Sequence, residues 1–162
     1  MKKILLLLLL LVSLRSFSQT YSFTYGSILR SYIVHLPSGY NAGTKYPLVL
    51  NLHGYTSNAS QQQLYSQMDA VADTAKFIVV YPDGVNNAWN SGTFGLNSAI
   101  NDVGFISALI DTMKKKFSVN PDKVYSCGTP SGRSRRARSG SGRPTCPWPR
   151  GRSGAASSPG RA

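Results

Sequence analysis

Several residue types that build common active sites are scarce in this 162-residue chain. It has no glutamate and only six aspartates, and the aspartates do not stand at the spacing of a paired-carboxylate site. The two histidines and two cysteines form no cluster with metal-ligand spacing, and two cysteines cannot build a disulfide framework. A glycine-rich phosphate loop is also absent from the sequence. We therefore expect neither a metal nor a cofactor.

The last 35 residues lack almost everything that builds a hydrophobic core. Gly128–Ala162 contains eight Arg, seven Gly, seven Ser, five Pro and four Ala, with only Thr129, Thr145, Cys146 and Trp148 besides. Such a segment cannot fold by burying apolar surface, so the sequence predicts a disordered tail. Because the composition shifts abruptly towards amino acids with G- and C-rich codons, we interpret the tail as a frameshift or a junction with foreign sequence. A genuine basic arm that binds polyanions is the alternative.

The net charge of +12 belongs mostly to the two ends of the chain. The tail carries eight positive charges and no negative ones, and Lys2, Lys3 and Arg15 lie within the first 18 residues. Gln19–Cys127 holds seven Lys or Arg against six Asp. The body is therefore nearly neutral, and we expect no nucleic-acid partner.

Met1–Ser18 has the organisation of a secretory signal peptide. Two lysines precede an apolar run of 11 residues, and Ser16-Phe17-Ser18 supplies the small-x-small pattern of a cleavage site. The run is shorter than the roughly 20 residues of a membrane-spanning helix. We expect cleavage before Gln19, export to the periplasm or the extracellular medium, and no stable membrane anchor.

The apolar pattern between the two ends predicts five strands. Aromatic and β-branched residues predict an antiparallel hairpin at a sheet edge, and short apolar runs predict three core strands. The hairpin strands are Tyr21–Tyr25 and Leu29–Leu36, and the core strands are Pro47–Leu52, Phe77–Tyr81 and Lys123–Cys127.

Two amphipathic helices are predicted between the core strands. Apolar residues three or four apart favour one helix over Gln61–Lys76, with Ser60 as its N-cap, and another over Ile100–Phe117. The segment Asn120-Pro121-Asp122 is expected to separate the second helix from the following strand. Strand, helix, strand, helix, strand in this order is typical of a doubly wound α/β sheet.

Two strand ends carry candidate chemistry. His53-Gly54-Tyr55 follows the first core strand at a sharp turn, where backbone amides can stabilise an oxyanion; a plain turn is the alternative. The last core strand runs into Gly128-Thr129-Pro130-Ser131-Gly132, which has both glycines of a Gly-x-Ser-x-Gly nucleophile elbow. Pro130 occupies the serine position, has no hydroxyl and cannot adopt a positive φ. Ser131 is the nearby candidate nucleophile, one position late.

Six sequence blocks stand in a consistent order between Tyr32 and Gly128: HLPSGY, YPLVLNLHGYTSN, ADTAKFIVVYPDG, AWN, INDVGFISALID and NPDKVYSCG. Together they resemble the N-terminal half of secreted α/β-hydrolase esterases related to poly(3-hydroxybutyrate) depolymerase and feruloyl esterase. The resemblance implies an α/β-hydrolase-like doubly wound sheet over residues 19–127 that stops at the nucleophile elbow. It also implies a serine esterase that acts on polyester or acyl-decorated polysaccharide through an acyl-enzyme, without a cofactor.

The resemblance implies roles for individual residues. His53, Gly54 and Tyr55 would form the first half of the oxyanion hole, and Trp89 and Asn90 would bind substrate from a loop near the acyl pocket. Asp102 and the turn Val103-Gly104-Phe105 would support the elbow.

The same resemblance implies that the written chain is inactive. In the family the acidic and basic triad members follow the elbow, at positions that this sequence does not reach. His53 precedes the elbow, and we expect His35 to be a surface residue of an edge strand, so neither serves as the base. The alternative function is a non-catalytic secreted module that binds carbohydrate through the loop Val85–Ser98, with Trp89 and Phe94.

Overall fold

A mixed β-sheet with helices on both faces forms the centre of the protein. The computed structural model describes residues 17–90 and 99–128. Its strands are β1 (Phe17–Tyr25), β2 (Ile28–Leu36), β3 (Tyr46–Leu52), β4 (Ile78–Pro82) and β5 (Val119–Gly128). Its helices are α1 (Ala59–Ser66), α2 (Met68–Ala75) and α3 (Asp102–Lys116). Most of the predicted leader, part of the loop Val85–Ser98, and the tail with Pro130 and Ser131 lie outside the described residues.

The strand order in the described sheet is β1-β2-β4-β3-β5. β1 and β2 form an antiparallel hairpin at one edge, joined by Gly26 and Ser27 at φ values of 56° and 64°. Positive φ at both loop residues matches the twist of a two-residue hairpin. β2 runs antiparallel to β4, and β3 runs parallel to both β4 and β5. The predicted edge hairpin and doubly wound α/β architecture are confirmed.

Alternate side chains of the central strands enter two separate cores. Every residue of β4 is buried because helices cover both faces of the sheet. Helix α3 buries Phe105, Leu109 and Met113 against one face. On the other face, Ala59 and Ala72 of α1 and α2 pack with residues of β3 and β4.

The prediction of one continuous helix over Gln61–Lys76 is wrong, because two short helices cover this range. Gln67 adopts a left-handed conformation at φ 49° and ψ 29°, which ends α1 and starts α2. The N-cap is Asn58 rather than Ser60, and its side chain accepts a hydrogen bond from the Gln61 amide at 2.9 Å. Leu64 and Val71, two apolar residues within the predicted range, are exposed.

His35 is buried, contrary to the expectation of a surface residue on an edge strand. β1 covers the outer side of β2, which makes β2 an interior strand. The His35 ring lies between two carboxylates, with Nδ1 3.4 Å from Asp69 Oδ2 and Nε2 3.0 Å from Asp73 Oδ1. The two aspartates stand four residues apart, so helix α2 presents both on one face.

β5 differs from the core strand predicted over Lys123–Cys127. It is longer, and within the described sheet it lies at the edge, with Val119 and Cys127 buried and most residues between them exposed. Helix α3 ends at Lys116, before the predicted break, and the chain enters β5 at once. Asn120-Pro121-Asp122 instead falls where the register between β3 and β5 shifts.

Candidate active site

The parallel strands β3, β4 and β5 end at one edge of the sheet. Leu52 pairs with Gly128, so His53 and Gly54 follow β3 directly beside the end of β5. A Cβ on Gly128 would stand 2.5 Å from the carbonyl oxygen of Leu52, which explains the glycine. The carboxyl ends of parallel strands are where open α/β sheets bind ligands. The structure therefore brings the predicted oxyanion turn to the start of the predicted elbow.

His53 is buried and both of its ring nitrogens are engaged. Its Nε2 accepts a hydrogen bond from the Gly84 amide at 2.8 Å, so Nδ1 carries the proton and lies 2.7 Å from the carbonyl oxygen of Gly54. A ring held as this tautomer has no lone pair available for a reacting group. The geometry thus gives His53 a structural task and agrees with its exclusion as a general base.

Trp89 and Asn90 direct their polar groups at the protein. The Trp89 indole donates from Nε1 to the His53 carbonyl oxygen at 2.9 Å, and its ring centroid lies 5.0 Å from that of His53. The Asn90 amide donates to Asp102 Oδ2 at 2.6 Å, and Asn90 Nδ2 donates to the Ile100 carbonyl oxygen at 2.8 Å. These contacts fix the loop beside the oxyanion turn, while substrate contact by either residue stays a prediction.

Arg30 is a site-supporting residue that the sequence reasoning missed. It is 3% exposed, and its Nη2 lies 2.9 Å from Asp102 Oδ1. The guanidinium also donates to the Asp83 carbonyl oxygen at 2.9 and 3.3 Å and lies over the Phe105 ring at 3.8 Å and the Trp89 ring at 5.8 Å. Arg30 is the single arginine of Gln19–Cys127 and stands in an apolar strand, which is the signal that could have marked it.

Asp83 connects the end of β4 to two neighbouring elements. Its Oδ1 accepts from the Ala59 amide at the start of α1 at 2.6 Å, and its Oδ2 accepts from Ser31 Oγ at 2.7 Å. A cavity of about 410 Å³ borders Asp83 on this side, and another of about 290 Å³ borders Asn90 and Asp102. Both carboxylate oxygens of Asp83 thus serve the scaffold.

Two further properties concern the described residues as a whole. Across residues 17–90 and 99–128, no three His, Cys, Asp or Glu side chains are grouped so that they could hold a metal ion. Over the same residues, the helices are too short or too polar to cross a membrane.

Comparison with known proteins agrees with this geometry. A family model described as putative esterase matches residues 30–127. The chain is 32% identical over 103 residues to feruloyl esterase B of Piromyces equi and 34% identical over 108 residues to poly(3-hydroxyalkanoate) depolymerase C of Paucimonas lemoignei. These matches cover 61% and 60% of this chain. The chain spans only 19% and 24% of the lengths of those two relatives.

A solved structure shows the same fold. A ferulic acid esterase superposes with a TM-score of 0.56 at 21% identity, over 71% of this chain and 50% of that one. At this identity the likeness concerns the fold alone, which is an α/β-hydrolase-like sheet.

Proposed function

The chain belongs to the putative-esterase family, and from that premise we propose that its site is built to hydrolyse carboxylic esters through an acyl-serine intermediate. The observation that carries the proposal is the pairing of Leu52 with Gly128. His53-Gly54-Tyr55 follows Leu52 directly, so this pairing supports a role for the Gly54 and Tyr55 amides next to Gly128, the first residue of the predicted elbow. Backbone donors fixed in this way stabilise the oxyanion of acyl transfer by about 3 kcal/mol each. The chemistry needs no cofactor.

We propose esters carried by a polymer as the substrate class. One relative is named as a depolymerase of poly(3-hydroxyalkanoate), which is a polymer, and another is named for feruloyl esters. The Tyr55 side chain is 53% exposed next to the proposed oxyanion site, so its ring can contact an acyl or aromatic group. A polymeric substrate outside the cell fits export through the leader Met1–Ser18.

We propose further that the chain as written binds such esters without turning them over. Pro130 stands where the nucleophile is needed, and proline supplies neither a hydroxyl nor the backbone conformation of the elbow. The turn His53-Gly54-Tyr55 does not include this position, so its backbone amides remain available as donors to an ester carbonyl.

The carbohydrate-binding alternative rests on Trp89 and its loop. Its indole N–H donates to the His53 carbonyl oxygen, and its ring faces His53 and Arg30. A ring used in this way has less surface to stack on a sugar. The contacts of Trp89 therefore support the esterase over the binding module.

The test is an NMR titration of the ¹⁵N-labelled chain with ferulate, in which the amide chemical shifts are measured. We expect the largest shifts at Gly54 and Tyr55, because a carboxylate resembles the oxyanion. Coniferyl alcohol, which has the same ring without the carboxylate, is the matched control and should not shift them. Equal shifts with both ligands would contradict the proposal. Shifts of the Trp89 indole with xylohexaose, and none with ferulate, would favour the binding module.

A further inference from the structure

We propose that Trp89 and the ring of His53 are positioning residues that fix the peptide planes presenting the Gly54 and Tyr55 amides. The inference rests on the proposed esterase function, in which those amides bind the oxyanion. It assigns the indole N–H of Trp89 to the protein scaffold of the site.

The indole of Trp89 fixes the first peptide plane. The peptide bonds of the described residues contain no cis form, so the carbonyl of His53 and the N–H of Gly54 point in opposite directions. The His53 carbonyl oxygen accepts from Trp89 Nε1 at 2.9 Å. The N–H of Gly54 is therefore held pointing away from the indole.

The His53 ring fixes the second peptide plane. Its Nδ1 lies 2.7 Å from the carbonyl oxygen of Gly54, which also accepts from the Ser57 amide at 3.2 Å. By the same trans geometry, the N–H of Tyr55 points away from the ring. The ring itself cannot turn freely, because the Gly84 amide donates to its Nε2 at 2.8 Å.

The neighbouring amides of the turn are already used. The Thr56 amide donates to the Asn87 carbonyl oxygen at 2.9 Å, and the Ser57 amide donates to that of Gly54. Within residues 17–90 and 99–128, the amides of Gly54 and Tyr55 donate to no acceptor. The two amides of this turn that have a fixed direction are thus the two that can donate to an oxyanion.

Contacts with Arg30, and through it with Asp102, fix the position of Trp89. The guanidinium of Arg30 lies near its ring, and Asp102 pairs with Arg30 while accepting from the Asn90 amide. The indole is consequently a rigid donor, and donors that need no reorganisation are the effective ones in acyl transfer.

The experiment is ¹⁵N relaxation on the full 162-residue chain, compared with Trp89→Phe and Tyr40→Phe. Trp89→Phe keeps an aromatic ring but removes the indole donor. Tyr40→Phe is the control, since it removes one hydrogen bond of an aromatic side chain at a distant point of the same core, where the Tyr40 hydroxyl accepts from the Ser118 amide at 2.9 Å. Order parameters near 0.85 mark a rigid backbone and values below about 0.6 a flexible one.

We expect the amides of Gly54 and Tyr55 to be rigid in the unaltered chain and in Tyr40→Phe. In Trp89→Phe, their order parameters should fall below about 0.6. Unchanged order parameters in a folded Trp89→Phe would overturn the proposal. Flexible Gly54 and Tyr55 in the unaltered chain would overturn it even if the variant does not fold. Because relaxation requires no ester, rigid amides that bind no ferulate would leave the positioning role intact and refute the function instead.

Discussion

Replacement of Arg30 by methionine should destabilise the protein by about 3–5 kcal/mol, because it leaves a buried charge without its partner. The Arg30 and Asp102 side chains are 3% and 7% exposed, and their charged atoms lie 2.9 Å apart. Methionine retains most of the packing against Phe105. The Asp102 carboxylate keeps the Asn90 amide but loses its counter-charge, and the Asp83 carbonyl loses both guanidinium donors.

The charge can be separated from the hydrogen bonds by a second substitution. Asp102→Asn preserves an oxygen that can accept from the Asn90 amide while it removes the negative charge. The combination of Arg30→Met with Asp102→Asn should therefore recover about 2 kcal/mol relative to Arg30→Met alone. The remaining deficit is that of the lost hydrogen bonds, at about 1 kcal/mol each.

Urea unfolding followed by tryptophan fluorescence measures both effects. With a slope of about 1–3 kcal/mol per molar urea, a loss of 3 kcal/mol lowers the midpoint by about 1 M or more. If Arg30→Met loses less than about 1 kcal/mol, or if the double variant is no more stable than the single one, the ion pair does not hold this part of the fold.

Three other outcomes follow from the structure and the sequence. Burial, with the hydrogen bond to Asp69, raises the pKa of Tyr81 far above 10.0. The stability that this hydroxyl contributes is fully present below about pH 10, the pKa of an unfolded tyrosine, and is lost as the pH rises from there towards the raised pKa of the folded state. The urea midpoint should therefore fall less for Tyr81→Phe than for the unaltered chain between about pH 8 and 11. Gly128→Ala should lose about 1–3 kcal/mol in thermal unfolding, whereas Gly43→Ala, whose Cβ would meet its nearest neighbour at 3.4 Å, should be close to neutral. The purified chain should not hydrolyse p-nitrophenyl acetate, because Pro130 replaces the nucleophile; turnover abolished by a serine-directed phosphonate would refute this.

The parts of the fold that the sequence predicted are those with a strong local pattern. β3, β4 and α3 were predicted from apolar runs or a periodic apolar stripe. The residues that they bury must be apolar, so the burial is visible in the sequence. The break at Gln67 was missed because a non-glycine residue in the left-handed conformation has no sequence signature. A contact from another element holds the segment there, since Asn51 Nδ2 of β3 donates to Ser66 Oγ at 2.9 Å.

The sequence predicted the turn of the candidate site but not the hydrogen bonds and the ion pair that hold it. His53-Gly54-Tyr55 could be located from the end of a core strand. The Gly84 amide and the Trp89 indole that hold this turn come from segments far along the chain. Arg30 and Asp102 likewise meet only through the order of strands and helices in the fold. Partners of this kind cannot be predicted from local periodicity.

The most direct test of the esterase assignment is to resequence the gene across codon 128 and translate each downstream frame. We expect one frame to restore Gly-x-Ser-x-Gly after Cys127, followed by Asp and His. Its product, once purified, should hydrolyse methyl ferulate or a 3-hydroxybutyrate oligomer and be labelled by a fluorophosphonate at the elbow serine. A gene with no such frame, or a folded product with the elbow that cleaves no ester, would contradict the assignment.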